Sequence, residues 1–403
     1  MITTSVISKR ASQAEDSITM AITAMAQKMR KDGQDVIGFS AGEPDFPTPK
    51  HVREAAYAAI EAGKTLYTAA SGIPELKTAI CARFFADQGL SYLPENIVVS
   101  CGAKHSIFNV LMALVNPGDE VIVPVPYWVS YPDQVSLVGG VSVYINAGES
   151  TEFKITAEQL NAVLTPKSKL LILNSPSNPT GSIYTRPELE ALAAVILAHP
   201  HLLVLSDEIY EKLIYDASIG HVSIASLSEA IKSRTIVVNG VSKAYAMTGW
   251  RIGYAASSKE IADVMGKMQS HTTSNPTTPS QWAALAALNG PDTEIEMMRA
   301  AFDARRQYMV AALNAIPGIR CLAPQGAFYA FPNVSSCFGK KSKSGVIKDS
   351  ASFCEWLLKD ALVACVPGSG FGADDFVRLS YATSMENIKT GIQRIQDWVA
   401  TLV

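Results

Sequence analysis

The middle of the chain alternates between short runs rich in β-branched residues and longer stretches with apolar residues at helical spacing. Residues 95–256 carry this pattern, and each short run is a predicted buried strand. Such alternation is typical of a mostly parallel sheet with helices on both faces. The predicted strands are Ile97–Val99, Glu120–Val123, Val141–Ile145, Leu170–Leu173, Leu202–Leu205, Thr235–Val238 and Arg251–Ala255.

The two ends of the chain follow a different pattern, which predicts a second and smaller unit. Residues 17–31 and 292–315 are predicted helices, and a strand is predicted at Phe376–Leu379 before a terminal helix. We therefore predict an α/β fold with two domains. The large one carries a mostly parallel, seven-stranded sheet flanked by helices, and the small α+β one is built from both termini. The predicted bounds are 49–294 for the large domain, and 1–48 with 295–403 for the small discontinuous domain.

The charge balance argues against nucleic acid and membranes as partners. The 34 Lys+Arg residues nearly cancel the 37 Asp+Glu residues, which leaves a net charge of −3, whereas both partners need a surplus of basic charge. The first residues contain no apolar stretch typical of a secretion signal, and the run Ala191–Ala198 is too short to span a bilayer. We predict a cytoplasmic protein.

Cysteine and histidine spacing predicts no metal ion. The six cysteines form no C-x-x-C pair, and the six histidines share no helix face at ligand spacing.

Polar residues cluster at four predicted strand ends. Each cluster has a plain structural explanation, because Asn-Pro-Thr-Gly forms turns, an Asp after a strand often caps a helix, and most loop lysines are solvated. The carboxyl ends of parallel strands meet at one edge of a sheet, however, so together the four clusters predict one ligand site. They are Ser100–Lys104, Asn174–Gly181, Ser206–Tyr210 and Gly240–Lys243, the last followed by Gly249-Trp250-Arg251.

This set of groups suits pyridoxal 5′-phosphate. That cofactor needs an amine for its aldehyde, a carboxylate at its ring nitrogen, donors for its phenolic oxygen and a site for a dianion. A carboxylate keeps the ring nitrogen protonated, since opposite charges favour each other's ionised forms. The protonated ring can then accept electrons from the α-carbon of a substrate.

The segment Gly240–Gly253 resembles the lysine signature of the class I aminotransferases, which are pyridoxal-phosphate enzymes. Further motifs of that family occur in the same order, and the resemblance covers nearly the whole chain. These motifs are Ala41–Phe46, Pro126–Trp128, Ser177–Gly181, Ser206–Tyr210, Gly326–Tyr329 and Val377–Tyr381.

The resemblance implies how the cofactor ring is held. Lys243 binds the aldehyde and, once released, moves the substrate proton as general acid and base. Asp207 holds the proton of the ring nitrogen, and Tyr210 and Asn178 hydrogen-bond to the phenolic oxygen. Trp128 stacks on the ring.

The resemblance also implies a phosphate site that is shared between subunits. Tyr67 reaches the phosphate of the neighbouring subunit, so a homodimer with shared active sites is expected. The other implied phosphate contacts come from Gly102, Ala103, Lys104, Ser242 and Arg251.

For the substrate, the resemblance implies that Arg378 pairs with the α-carboxylate in a planar fork that a lysine does not reproduce. Gly42 is expected to donate its backbone N–H near the same carboxylate, with Trp128 and Asn178 alongside. A second carboxylate would be bound by Lys104, Ser17 and Thr19. The plain alternatives are that Ser17 caps the first helix and that Lys104 is a surface residue.

A pocket for a second carboxylate favours L-aspartate and 2-oxoglutarate as substrates. Relatives that also act on prephenate often carry a basic residue shortly before the Ser-x-Thr, where this chain has Glu15-Asp16. Prephenate or an aromatic amino acid is therefore the second choice.

Three other classes stay open at this point. A lyase or synthase of the same fold, such as aminocyclopropane-carboxylate synthase, has nearly the same lysine motif. A regulator with an aminotransferase-like domain normally needs a fused DNA-binding segment, which we do not find before residue 17. A nicotinamide dehydrogenase is weakest, because Gly368–Ala373 leads into a strand and does not open a helix.

Overall fold

The computed structural model describes residues 7–8, 18–216 and 218–403, and within the first helix it describes side chains from residue 22 onward. The strands are β1 (Ile37–Gly38), β2 (Ile97–Ser100), β3 (Glu120–Val125), β4 (Val141–Asn146), β5 (Ser168–Asn174), β6 (Leu203–Asp207), β7 (Thr235–Gly240), β8 (Gly253–Ala256), β9 (Tyr329–Ala330), β10 (Val363–Ala364), β11 (Val366–Pro367) and β12 (Val377–Ser380).

The α-helices are α1 (Ile18–Lys31), α2 (Lys50–Glu61), α3 (Pro74–Gln88), α4 (Ala103–Leu114), α5 (Ser130–Leu137), α6 (Ala157–Val163), α7 (Arg186–Ala198), α8 (Glu229–Lys232), α9 (Lys259–Ser270), α10 (Thr278–Asn289), α11 (Thr293–Asn314), α12 (Ser350–Ala361) and α13 (Met385–Ala400). Within the described ranges, none of them is both long and apolar enough to cross a bilayer.

Seven strands form one central sheet in the order β2-β8-β7-β6-β5-β3-β4. Neighbouring strands pair in parallel except at β8, which runs antiparallel to both β2 and β7. The predicted mostly parallel, seven-stranded sheet is thus confirmed. The direction of β8 differs from that of its neighbours, and a run of apolar residues carries no sign of strand direction.

The central sheet is covered on both faces. Every residue of β2 and β7 is buried, which is why these strands are continuous apolar runs and do not alternate between apolar and polar residues. One face packs against α3 and α10, and the other packs against α4 and α9. The carboxyl ends of the parallel strands are thereby held in a rigid array.

A smaller part of the structure is built from both ends of the chain. The strand β1 pairs in parallel with β10, and β11-β12-β9 form a three-stranded antiparallel sheet. The helices α11, α12 and α13 surround these strands, and their shared core continues onto Ile209 and Tyr210 just after β6. This packing brings the C-terminal strands to the edge of the central sheet where the polar clusters lie.

Candidate active site

The four polar clusters predicted from the sequence lie along one edge of the central sheet. Asp207 ends β6, opposite Asn174 of β5 on one side and Val238 of β7 on the other. Lys243 follows β7, whose last residue Gly240 faces Gly253 of β8. The strand order therefore brings together residues from widely separated parts of the chain.

Lys243 has most of its side chain shielded from solvent at this edge. Its Nζ donates a hydrogen bond to the carbonyl oxygen of Gly42. Burial, followed by the positive charge of Arg378, lowers the pKa of Lys243 to about 8. A larger fraction of this amine is therefore neutral and nucleophilic at neutral pH than of an ordinary lysine. Gly42 therefore contacts Lys243 through its carbonyl oxygen, whereas the sequence predicted that its N–H donates near the substrate's α-carboxylate.

Asp207 is buried and is held by one strong side-chain hydrogen bond. The hydroxyl of Tyr131 donates to its Oδ2 at 2.6 Å, and the N–H of Ile209 donates to its Oδ1 at 3.3 Å. Burial raises the pKa of Asp207 to about 6, and the bond from Tyr131 opposes that rise. The result is a carboxylate suited to hold a protonated ring nitrogen.

Tyr131 was not predicted from the sequence. It lies in the first turn of α5, three residues after Trp128, and the two rings meet edge to face at 5.3 Å. Trp128 lies in the turn before α5, where its carbonyl accepts from the N–H of Tyr131 at 3.0 Å, so the three-residue spacing between the two rings was the signal in the sequence.

Replacing Tyr131 by phenylalanine should weaken binding of the predicted cofactor about tenfold, the value of one hydrogen bond to a charged group at ~1.5 kcal/mol. Without the hydroxyl the pKa of Asp207 rises further, so less of the carboxylate is ionised. The loss of cofactor affinity should be largest just above pH 6, where Asp207 is ionised in the wild type but protonated in the variant. Equilibrium dialysis across this pH range measures it. Tyr184→Phe is the control, because the Tyr184 hydroxyl bonds to the N–H of Ile155, and an equal loss in both variants would refute the role of Tyr131.

The start of α4 forms a tight cradle with the chain around β8. Gly102 has a φ of +86°, and a Cβ there would lie 2.3 Å from Nη2 of Arg251. A Cβ on Gly253 would lie 2.1 Å from the backbone nitrogen of Ala103. Only glycine fits at these two positions, so the N–H groups of the helix start and the Arg251 guanidinium are held side by side, as in a site for an anion.

Arg251 is fixed in this cradle by backbone oxygens. Its Nη1 donates to the carbonyl of Thr248 at 2.8 Å, and its Nη2 donates to the carbonyl of Cys101 at 3.3 Å. Ser242 is buried next to Lys243. The structure thus places Gly102, Ala103 and Arg251 in one neighbourhood, and Ser242 adjoins it through Val241, whose N–H donates to the carbonyl of Ile252 at 3.3 Å.

Arg378 is a buried cation that lies between two aromatic rings. Its Nη1 donates to Oδ1 of Asn178 and its Nη2 to the carbonyl of Ser40, both at 3.0 Å. The ring centroids of Tyr329 and Phe371 lie 4.5 and 5.1 Å from the guanidinium carbon. Its Nε is buried without a hydrogen-bond partner, and no ion pair joins Arg378 to a carboxylate of the described residues. This guanidinium is therefore available to bind an external anion.

Tyr210 is buried beside these groups. Its hydroxyl lies 2.8 Å from the hydroxyl of Tyr329, and its ring centroid lies 5.8 Å from Nζ of Lys243. Burial raises the pKa of Tyr210 well above the usual value. The hydroxyl therefore stays protonated and can donate a hydrogen bond.

The outer residues of the predicted site are placed less completely. Nζ of Lys104 lies 4.9 Å from the ring centroid of Trp128, so these two residues adjoin each other. The side chain of Tyr67 is 89% exposed. Ser17, and the side chain of Thr19, lie outside the described residues.

Glu208, the residue after Asp207, forms a buried ion pair with His221. His221 Nε2 is 2.9 Å from Oε2 of Glu208, and Glu211 adjoins both. These three side chains are common metal ligands, and the sequence prediction of no metal rested on the spacing of cysteines and histidines alone. We interpret the group as a hydrogen-bonded ion pair, since Glu208 already accepts bonds from Gln88, Ser206, His221 and Ser223.

Comparison with known proteins identifies one family. Residues 34–395 match the family model for aminotransferase class I and II. The chain is 51% identical to the aspartate aminotransferase of Geobacillus stearothermophilus, over 96% of this chain and 98% of that protein. It is 48% identical to the aspartate/prephenate aminotransferase of Cereibacter sphaeroides, over 98% and 99% of the two chains. The crystal structure of the aspartate aminotransferase from Rhizobium meliloti superposes with a TM-score of 0.95, at 46% identity over 98% of this chain and 99% of that one.

Proposed function

This chain belongs to the class I and II aminotransferases, and from that premise we propose that it transfers the amino group between L-aspartate and 2-oxoglutarate, giving oxaloacetate and L-glutamate. The observation that carries the proposal is the pairing of a buried, partly neutral amine on Lys243 with a buried guanidinium on Arg378 that has no carboxylate partner among the described residues. The first suits an aldehyde, and the second suits the α-carboxylate of an amino acid.

The cofactor we propose is pyridoxal 5′-phosphate. The donor set fits it, because a glycine cradle with a guanidinium suits the phosphate and the buried Asp207 suits the ring nitrogen. When bound, this cofactor supplies an aldehyde for amines and a ring that withdraws electrons from the substrate's α-carbon.

The chain's own residues then have distinct tasks. Lys243 would attach the cofactor and, when freed, would take the proton from the substrate's α-carbon on its Nζ and deliver it to the cofactor carbon that had carried the aldehyde oxygen. Asp207, held by Tyr131, keeps the ring nitrogen protonated. Tyr210 and Asn178 donate hydrogen bonds toward the phenolic oxygen.

Trp128 covers the ring, and the phosphate is held at the start of α4. Its proposed ligands are the backbone of Gly102, Ala103 and Lys104, with Ser242 and Arg251. Lys104, together with Ser17 and Thr19, is also proposed to bind the second carboxylate of aspartate.

We also propose that the active unit is a homodimer in which Tyr67 completes the partner's phosphate site. Tyr57, Leu66 and Tyr67 are 69, 79 and 89% exposed, and large exposed apolar side chains in one region mark an interface. Sedimentation velocity distinguishes this dimer from a monomer.

The second candidate substrate is prephenate. Relatives that are 45–48% identical to this chain are named aspartate/prephenate aminotransferases. The acidic Glu15-Asp16 supplies no cation for the ring carboxylate of prephenate, so aspartate remains the first choice.

Replacing Lys104 by glutamine should lower kcat/KM for aspartate about tenfold to a hundredfold, because one charged partner of the side-chain carboxylate is lost. The kcat/KM of the variant for alanine as a substrate should change less than threefold, because alanine has no second carboxylate. Coupled assays of wild type and variant with aspartate, glutamate, alanine, prephenate and phenylalanine measure these changes. In the wild type, double-reciprocal plots at several concentrations of the second substrate should be parallel, as in a ping-pong mechanism. A wild-type preference for phenylalanine or prephenate over aspartate would overturn the substrate proposal.

A further inference from the structure

Tyr329 lies where three residues of the proposed site meet. Its hydroxyl is 2.8 Å from the Tyr210 hydroxyl, and its ring centroid is 4.5 Å from the guanidinium carbon of Arg378. A Cβ on Gly42 would lie 3.3 Å from the same hydroxyl. None of the roles assigned above uses Tyr329.

The position of Tyr329 is fixed by the fold. It lies in β9 and pairs with Ser380 of β12, two residues after Arg378. Its side chain is only 1% exposed, and its ring meets those of Phe328 and Tyr210 at 4.7 and 5.9 Å. Neither the ring nor the hydroxyl is free to reorient.

We propose that Tyr329 is a positioning residue with two separable tasks: its hydroxyl orients the Tyr210 hydroxyl toward the cofactor's phenolic oxygen, and its ring face fixes the plane of the Arg378 guanidinium. This inference rests on the proposed function, because it concerns the same site.

The first task follows from the hydrogen-bonding capacity of a phenol. A phenolic hydroxyl has one proton and can also accept, so Tyr210 offers its proton to the cofactor only if it accepts from Tyr329. Burial raises the pKa of Tyr329, while the charge of Arg378 opposes that rise. Arg378 also opposes the rise for Tyr210, but burial still raises the pKa of Tyr210 well above its usual value, so Tyr329 is the more acidic hydroxyl and the better donor of the pair.

The second task follows from the flat shape of a guanidinium. The rings of Tyr329 and Phe371 lie at 4.5 and 5.1 Å from it, and Asn178 and the Ser40 carbonyl hold its two terminal nitrogens. Arg378 therefore keeps one plane before any substrate arrives, which reduces the ordering cost of binding a carboxylate.

Spectrophotometric titration of the cofactor bound at Lys243 tests the first task. A donor to the phenolic oxygen stabilises the form in which the Lys243 nitrogen has lost its proton, since more negative charge then lies on that oxygen. Tyr329→Phe should therefore raise the apparent pKa of the chromophore by about 0.3 unit, because neighbours in a hydrogen-bonded chain strengthen each other by roughly 10–30%. Insertion of 3-fluorotyrosine at position 329 makes the hydroxyl a stronger donor without removing it, so it should shift the pKa the opposite way.

Steady-state kinetics test the second task. Tyr329→Phe keeps the ring and should leave KM for aspartate within twofold, whereas Tyr329→Leu removes the ring and should raise KM about tenfold. Tyr215→Phe is the matched control, because it deletes another buried hydroxyl, one that bonds to the carbonyl of Ala327. Tyr215→Phe should change neither the apparent pKa of the chromophore nor KM for aspartate.

The inference is overturned if the Phe and 3-fluorotyrosine proteins titrate as wild type does, or if Tyr329→Leu keeps the wild-type KM. Should Tyr329→Phe not fold, the 3-fluorotyrosine protein alone decides the first task. Failure of the proposed function looks different, since wild type itself would then show no chromophore at Lys243 with pyridoxal phosphate, or would prefer another substrate to aspartate.

Discussion

Replacing Lys243 by alanine should lower kcat for transamination about 10,000-fold, because the variant loses both the attaching amine and a general acid–base group, which alone contributes 10²–10⁴. Burial lowers the pKa of Lys243 to about 8, whereas Nζ of Lys104, the other lysine that the structure describes at this site, lies 4.9 Å from the centroid of the Trp128 ring. Stopped-flow and steady-state assays at saturating aspartate and 2-oxoglutarate measure the loss.

A second lysine serves as the control for this prediction. Lys154 is 7% exposed and pairs with Glu152 and Glu188 outside the site, so Lys154→Ala should affect stability and leave kcat within threefold. Thermal melts of both variants separate unfolding from lost chemistry. More than 1% residual kcat in Lys243→Ala would contradict its role.

Replacing Arg378 by lysine should lower kcat/KM for aspartate about 100-fold to 1,000-fold, since truncating one partner of a buried charge pair costs 2–5 kcal/mol. The positive charge remains, but an ammonium does not reproduce the planar fork or the contact with two rings. Most of the change should appear in KM, because the α-carboxylate does not itself react.

Arg320→Lys is the matched control for Arg378→Lys. Its guanidinium pairs with Glu149 at the surface and is 68% exposed, so the substitution should leave kcat/KM unchanged. If Arg378→Lys retains kcat/KM within threefold of wild type, another group binds the α-carboxylate.

The central sheet was predictable from the sequence because its strands are apolar runs between helical stretches. Leu202–Leu205 and Thr235–Val238 were located within a few residues of β6 and β7. The polar residues that follow them, such as Asp207 and Lys243, could be assigned to one edge because parallel strands share a polarity. The antiparallel β8 was not distinguished, since strand direction depends on the connection and not on composition.

Side-chain contacts between distant segments were not predictable in the same way. Tyr131 reaches Asp207 across 76 residues, and Tyr329 reaches Tyr210 across 119 residues. Contacts between residues so far apart in the sequence produce no periodic pattern or motif from which they could be predicted. The roles of individual site residues and the domain bounds at 49 and 294 remain proposals, supported by the packing of the C-terminal strands against the sheet edge.

The most direct measurement is chemical mapping of the attached cofactor. Purified wild-type protein, saturated with pyridoxal phosphate and reduced with borohydride, should lose its pH-dependent yellow absorbance. Peptide mass spectrometry should then locate one cofactor adduct per chain on Lys243. An adduct on another lysine such as Lys104, or no adduct, would contradict a cofactor site built around Lys243, Asp207 and Arg251.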